Sequence, residues 1–178
     1  MDNVKICLCG ESAVGKDTVR KWLCKEQGFY YPVSHTTRPP REGEIPGVDY
    51  FFVSETEFEK MLDQELFVED IKYAGHYYGI TKEEFEKSNK VVTVAAADGI
   101  IQLRGKTDIK VVFLITHNEN ITQERQKARG DSLTTRLNRR SAYLKDLPML
   151  LPERDFTYVI GEVFDPEDFI HKILDKLN

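Results

Sequence analysis

The 178-residue sequence is poor in cysteine, with three, in tryptophan, with one, and in histidine, with four. Cys7, Cys9 and Cys24 are odd in number and form no C-x-x-C pair, and two of them lie inside an apolar strand pattern. A disulfide framework or a thiolate metal site is therefore excluded, and reduced, partly buried thiols are expected. His35, His76, His117 and His171 are scattered without metal-ligand spacing, which leaves them as surface or polar-contact residues. Positive charge is also scarce. The 25 Lys and Arg residues are outnumbered by 30 Asp and Glu, for a net charge of -5, so no global positive field exists to hold a nucleic acid backbone. An anionic ligand has to be met by local clusters of Lys, Arg and backbone N–H groups. Apolar runs such as Val111 to Ile115 fall far short of the roughly 20 residues that cross a bilayer, and no apolar signal segment stands at the N-terminus. A soluble, cytoplasmic protein with no membrane or nucleic acid partner is the expectation. No internal repeat, low-complexity tract or disordered linker is present.

The chain has an apolar fraction of 40%, enough for one sizeable core but short for two independent domains. Val4 to Cys9 reads as a buried strand that stops at Gly10, and the spacing of Val19, Trp22 and Leu23 predicts a helix from Lys16 to about Cys24, ending near Gly28. Val91 to Ala97 and Val111 to Ile115 run apolar without alternation, as parallel strands covered on both faces do. Helical composition marks Glu119 to Arg129, Thr134 to Leu147 and Pro166 to Leu177, with one more strand at Phe156 to Ile160. These parts predict an α/β fold with a parallel sheet and helices on both faces. Between Tyr30 and Gly79 the sequence changes, with dense aromatics, prolines and glycines. Short strands at Asp49 to Val53 and Phe67 to Lys72 around a helix from Glu55 to Leu66 predict a small inserted mixed α+β subdomain. Trp22, Phe29, Tyr30 and Tyr31 read as packing under the sheet, and Lys82 to Lys87 as a solvated helix face.

Two motifs carry chemistry. Gly10-Glu11-Ser12-Ala13-Val14-Gly15-Lys16 matches G-x-x-x-x-G-K and falls where the first strand turns into the first helix. Backbone N–H groups of such a loop and the positive end of the helix cradle phosphates, while the Lys reaches the terminal ones. The next residue is Asp17 rather than Ser or Thr, with Thr18 one position later. The second motif is Ser34-His35-Thr36-Thr37-Arg38-Pro39-Pro40-Arg41-Glu42-Gly43-Glu44, followed by Gly47-Val48-Asp49-Tyr50. Arg38 and Arg41, stiffened by the Pro-Pro step, make a fork suited to a phosphate dianion, and Tyr50 adds a hydroxyl donor.

From Ser34 through Ser54, then at Glu69 and Gly75-His76-Tyr77-Tyr78-Gly79, the sequence resembles the monophosphate-binding region of guanylate kinases. Arg125, Arg129-Gly130 and Arg136-Leu137 resemble that family's lid, so the likeness covers most of the chain and is weakest after Leu147. It implies a P-loop kinase moving a phosphoryl group from ATP, with Mg2+, to a nucleoside monophosphate such as GMP or dGMP. Residues 10 to 18 would bind ATP. Ser34, Arg38, Arg41, Glu44, Tyr50, Glu69, Tyr78, Gly79 and Ile80 would bind the acceptor: Arg38, Arg41, Tyr50 and Tyr78 its phosphate, Ser34 and Glu69 its base. Lys16, Arg125, Arg129 and Arg136 would be catalytic, and Asp17 would be the metal ligand. The implied organisation is a core of about 1–33, 81–117 and 140–178, a monophosphate-binding subdomain of about 34–80 and a short helical lid of about 118–139.

Four departures stand out. Val94-Ala95-Ala96-Ala97-Asp98-Gly99 replaces the acidic strand and Gln-Gly pair of the family, and Ile80 replaces a hydroxyl residue. Only five residues separate Gly130 from Arg136, a short lid. Val159-Ile160-Gly161-Glu162 lacks the family's Asn near the donor adenine. A kinase for another or modified monophosphate, and a non-catalytic binding module, stay open at this level.

Overall fold

The computed structural model describes residues 3–73 and 75–177. Met1, Asp2 and Asn178, at the ends of the expected core, and Ala74, inside the expected insertion, lie outside the described residues. The main sheet holds β1 (Val4–Gly10), β6 (Lys90–Val94), β7 (Lys110–Thr116) and β8 (Phe156–Ile160), all parallel, in the order β6-β1-β7-β8. Tyr30 adds a single parallel bridge to Val91 on the outer side of β6.

Alternation along β1 explains why the strands read as continuous apolar runs. Ile6 and Leu8 point to one face, where they meet Val19 and Leu23 of α1 (Lys16–Glu26) and Phe169 of α7 (Pro166–Lys172). Cys7 and Cys9 point to the other face, against Ile100 and Leu103 of α4 (Ala97–Lys106) and Leu150 of α6 (Leu133–Glu153). Both faces are covered, so both sets of side chains must be apolar. The buried thiols are free, and burial raises the thiol of Cys9 to about 12, which keeps it protonated and unreactive. Trp22 packs edge-on against Phe164 and Phe169 beneath the sheet.

The middle of the chain forms a second sheet of order β3-β2-β5-β4: β2 (His35–Thr36), β3 (Phe51–Phe52), β4 (Phe67–Tyr73) and β5 (His76–Thr81). Helix α2 (Glu55–Asp63) starts on a capping box in which Ser54 and Glu57 satisfy each other's backbone N–H groups, and its Phe58 stacks on Phe67 and Tyr77.

Three expectations need correction. The strand expected over Val91 to Ala97 ends at Val94, because Ala95 and Ala96 leave the sheet and Ala97 opens α4; a run of alanines suits strand and helix alike. The helix expected over Thr134 to Leu147 runs on to Glu153 through Pro148 and Pro152, both on the solvent side, where the carbonyls they leave unpaired meet water. The stretch from Lys82 to Lys87 is not simply solvated. Its helix α3 (Lys82–Glu86) buries Phe85 and Glu84, and the Glu84 carboxylate accepts from the Tyr30 hydroxyl, the Val33 N–H and Lys87.

Candidate active site

The loop between β1 and α1 has a geometry that only its two glycines permit. Gly10 has φ 135°, and a Cβ there would collide with the carbonyl of Leu114; Gly15 has φ 123°, and a Cβ there would lie 2.7 Å from Ile160. Gly15 also caps α1 without a side chain, leaving the first-turn N–H groups of α1 for a ligand.

The carbonyl side of the loop is tied down from behind by α5 (Glu119–Ala128). Gln126 Nε2 donates to Ser12 O at 3.0 Å, and Arg125 Nη1 donates to Val14 O at 3.0 Å and Ala13 O at 3.3 Å. Arg125 Nη2 reaches the carbonyls of Glu162 and Gly161. Glu11 is turned away from the cleft and buried, accepting from Arg140 at 2.6 Å and from the Thr122 hydroxyl at 3.1 Å. The carbonyls of Ser12, Ala13 and Val14 are thus held by α5, and the Val14 N–H closes the loop on Glu11 O at 3.3 Å. Lys16 curls over the loop, donating to Gly10 O at 2.9 Å and Glu11 O at 2.8 Å. Desolvation lowers its ammonium to about 8, against the opposing pull of Asp17.

A cleft of about 440 Å³ is lined by Gly10, Ser12 and Lys16 of the loop region and by Glu69 of the second sheet. Ser34, Tyr50 and Tyr78 line it; so do Tyr31, Ile71, Tyr73, the Val94–Ala96 segment and Arg139. At its mouth Arg38 lies 5.3 Å over the Tyr50 ring, whose centroid is 6.1 Å from that of Tyr78. Glu44 occupies this fork, accepting from Arg38 Nη2 at 2.7 Å and from the Arg41 N–H at 2.7 Å. A carboxylate thus stands where a phosphate would bring the same charge-assisted contacts. Arg41 keeps its guanidinium exposed beside this group.

Glu69 sits on β4 with 8% exposure. Burial, with Asp70 beside it, pushes its carboxyl up to about 7, Lys106 offsetting part of the rise. Gly79, opposite Asp70 on β5, has no room for a Cβ because Phe67 lies 2.6 Å from that position. The side chain of Ile80 is buried with Val68 and Phe85 and does not reach the cleft, and Thr81 is used up as the cap of α3.

The expected lid arginines separate. Arg125 sits behind the loop, Arg136 lines a small cavity of about 80 Å³ with Glu11 and Gln126, and Arg129 is exposed at the end of α5, near enough for its charge to lower the ammonium of Lys16. Arg139, not singled out in the sequence, is the α6 arginine that lines the cleft, held by Asp131 at 2.6 Å. The spacing of Tyr143, Leu147 and Leu150, the inward face of α6, carried the signal: stepping back four from Tyr143 reaches Arg139. Tyr31, expected to pack under the sheet, also turns into the cleft, beneath Arg20 at 4.2 Å.

A divalent cation has little to bind on the protein alone. No group of three His, Cys, Asp or Glu residues among the described residues is arranged to hold a metal. Asp17 is exposed at the start of α1, 3.5 Å from Arg20, and Thr18 is exposed beside it. One carboxylate and one hydroxyl suit a hard ion that brings most of its ligands on nucleotide phosphates and water.

The sequence profile for guanylate kinase matches residues 3–177. Curated guanylate kinases from the Onion yellows and Aster yellows witches'-broom phytoplasmas are each 36% identical over 177 residues, covering 95% of this chain and 84% of each relative. A crystal structure of guanylate kinase from Anaplasma phagocytophilum superimposes with a TM-score of 0.68 at 18% identity, over 99% of this chain and 85% of that one, and so shares the fold. By its sequence profile and its curated relatives, the chain belongs to the guanylate kinase family.

Proposed function

We propose that the chain transfers the terminal phosphoryl group of ATP to GMP or dGMP, giving ADP and the nucleoside diphosphate. One observation carries the reading: a single cleft is lined by the phosphate-binding loop with its Lys and by a buried carboxylate, with an arginine-tyrosine fork at its mouth.

In this reading the donor phosphates rest on the N–H groups of residues 10–15 and the uncapped start of α1. Lys16 exchanges its two carbonyl partners for phosphate oxygens, which restores its full charge. Arg38, Tyr50 and Tyr78 take the acceptor phosphate in place of Glu44, with Arg41 closing over it. Glu69 accepts from guanine N1–H and the 2-amino group, and Ser34 donates to O6. Arg139 from α6 and Arg129 from α5 face the transferring group, while Arg125, with Gln126, keeps the loop in shape. Transfer through a loose transition state asks mainly for in-line placement and neutralised charge, which Lys16 and the arginines supply without a general base. Mg2+, arriving with ATP and held by Asp17, would screen the donor phosphates. Residues 34–80 act as the monophosphate-binding subdomain and 118–139 as the lid, whose closure excludes water as a competing acceptor.

ADP release coupled to an indicator reaction, with ATP and Mg2+ and with GMP present or absent, tests this. GMP-dependent release supports the reading; ATP binding with no GMP-dependent release defeats it.

A further inference from the structure

The apolar replacement of the segment after β6 has a consequence for the base. The second sheet runs β3-β2-β5-β4, so Ser34, at the start of β2, lies on one side of Glu69 with β5 between them. On the other side of Glu69 is the turn into α4. A Cβ placed on Gly99 would lie 2.9 Å from Glu69 Oε2 and 3.2 Å from the Cβ of Ala95, which sets the carboxylate directly against this turn. Val94, Ala95 and Ala96 line the cleft there, and none of their side chains can accept a hydrogen bond.

A guanine edge presents O6, N1–H and two hydrogens on N2. With O6 toward Ser34, the Glu69 carboxylate takes N1–H and one N2–H. The second N2–H then points at the Val94–Ala96 wall and finds no side-chain acceptor. An unpaired donor against methyl groups is unfavourable, whereas an alkyl group in its place meets a matching surface. Ala96 is exposed to the cleft and carries only a Cβ, so the space beside it is free.

We infer that the cleft also takes guanosine monophosphates bearing a small alkyl group on N2, as substrates of the same transfer. The inference rests on the guanine orientation proposed above. The acceptor phosphate oxygen forms a bond to the terminal phosphorus of ATP as the bridging P–O bond breaks and ADP leaves; the substituent is remote from these atoms.

The test measures kcat/KM for GMP, N2-methyl-GMP and IMP in the wild type and in Ala96→Asp. In the wild type N2-methyl-GMP is expected within tenfold of GMP, while IMP, lacking the amino group and so one hydrogen bond to a charged group, falls by about tenfold or more. In Ala96→Asp the new carboxylate claims the second N2–H, and the ratio of N2-methyl-GMP to GMP drops at least tenfold. N2-methyl-GMP worse than a tenth of GMP in the wild type, IMP equal to GMP, or an unchanged ratio in the variant would each overturn the inference. Failure of GMP itself would instead remove the acceptor reading on which it rests.

Discussion

Lys16 and Glu69 line the same cleft, and loss of water acts on them in opposite directions, lowering the ammonium to about 8 and raising the carboxyl to about 7. For Lys16 the expected result is a kcat reduced by about two orders of magnitude or more in Lys16→Ala, since one transition-state donor contributes roughly 3 to 4 kcal/mol. Steady-state kinetics at saturating ATP and GMP decide it, and an unchanged kcat contradicts the loop assignment. For Glu69 the sign follows from the acceptor role: the neutral acid cannot take two N–H donors, so the charged form binds guanine. kcat/KM for GMP should therefore rise as pH increases through about 7 and level off above it. Glu69→Gln should remove that rise together with the preference for guanine; a pH profile identical to wild type excludes Glu69 as the base contact. Asp17 belongs to the same scale. ATP titrations with and without Mg2+ should show a strict metal dependence that weakens in Asp17→Ser, and an unaltered dependence rules out a metal contact.

At the scale of the elements, α5 and α6 do different work although both supply arginines. Helix α5 binds the outside of the phosphate loop through Arg125 and Gln126, whereas α6 turns Arg139 into the cleft and Arg136 away from it. Arg139→Ala should lower kcat by about a hundredfold, the cost of one lost transition-state contact, and Arg136→Ala by less than tenfold. Parallel kinetics on the two variants test this, and the reverse order restores Arg136 as the lid residue. The sequence pointed to Arg136 because the Arg-Leu pair looked like the family's, whereas Arg139, one turn on, is the residue that lines the cleft. Strand β1 and the loop motif were legible because apolar run, glycine and Lys fall in a fixed local order. Ile80 was not: Tyr78, two positions before it, lines the cleft, yet the Ile80 side chain packs on Val68 and Phe85, a contact only the fold creates.

On the scale of the whole molecule, two sheets that share no strand are joined through α3, whose Glu84 binds the Tyr30 hydroxyl and the Val33 N–H at the edge of the main sheet. Gln102 of α4 adds a second tie, bonding the Asp70 N–H and carbonyl beside Glu69. Polar recognition of the base then decides the acceptor, because a buried carboxylate left without donors is costly while the phosphate fork is indifferent to the base. The most direct measurement is kcat/KM with ATP and Mg2+ for GMP, dGMP, AMP, CMP, UMP and dTMP side by side. GMP and dGMP are expected to exceed the others by about tenfold or more, the discrimination that hydrogen bonds to a charged group supply. A clear preference for any non-guanine acceptor would contradict the account.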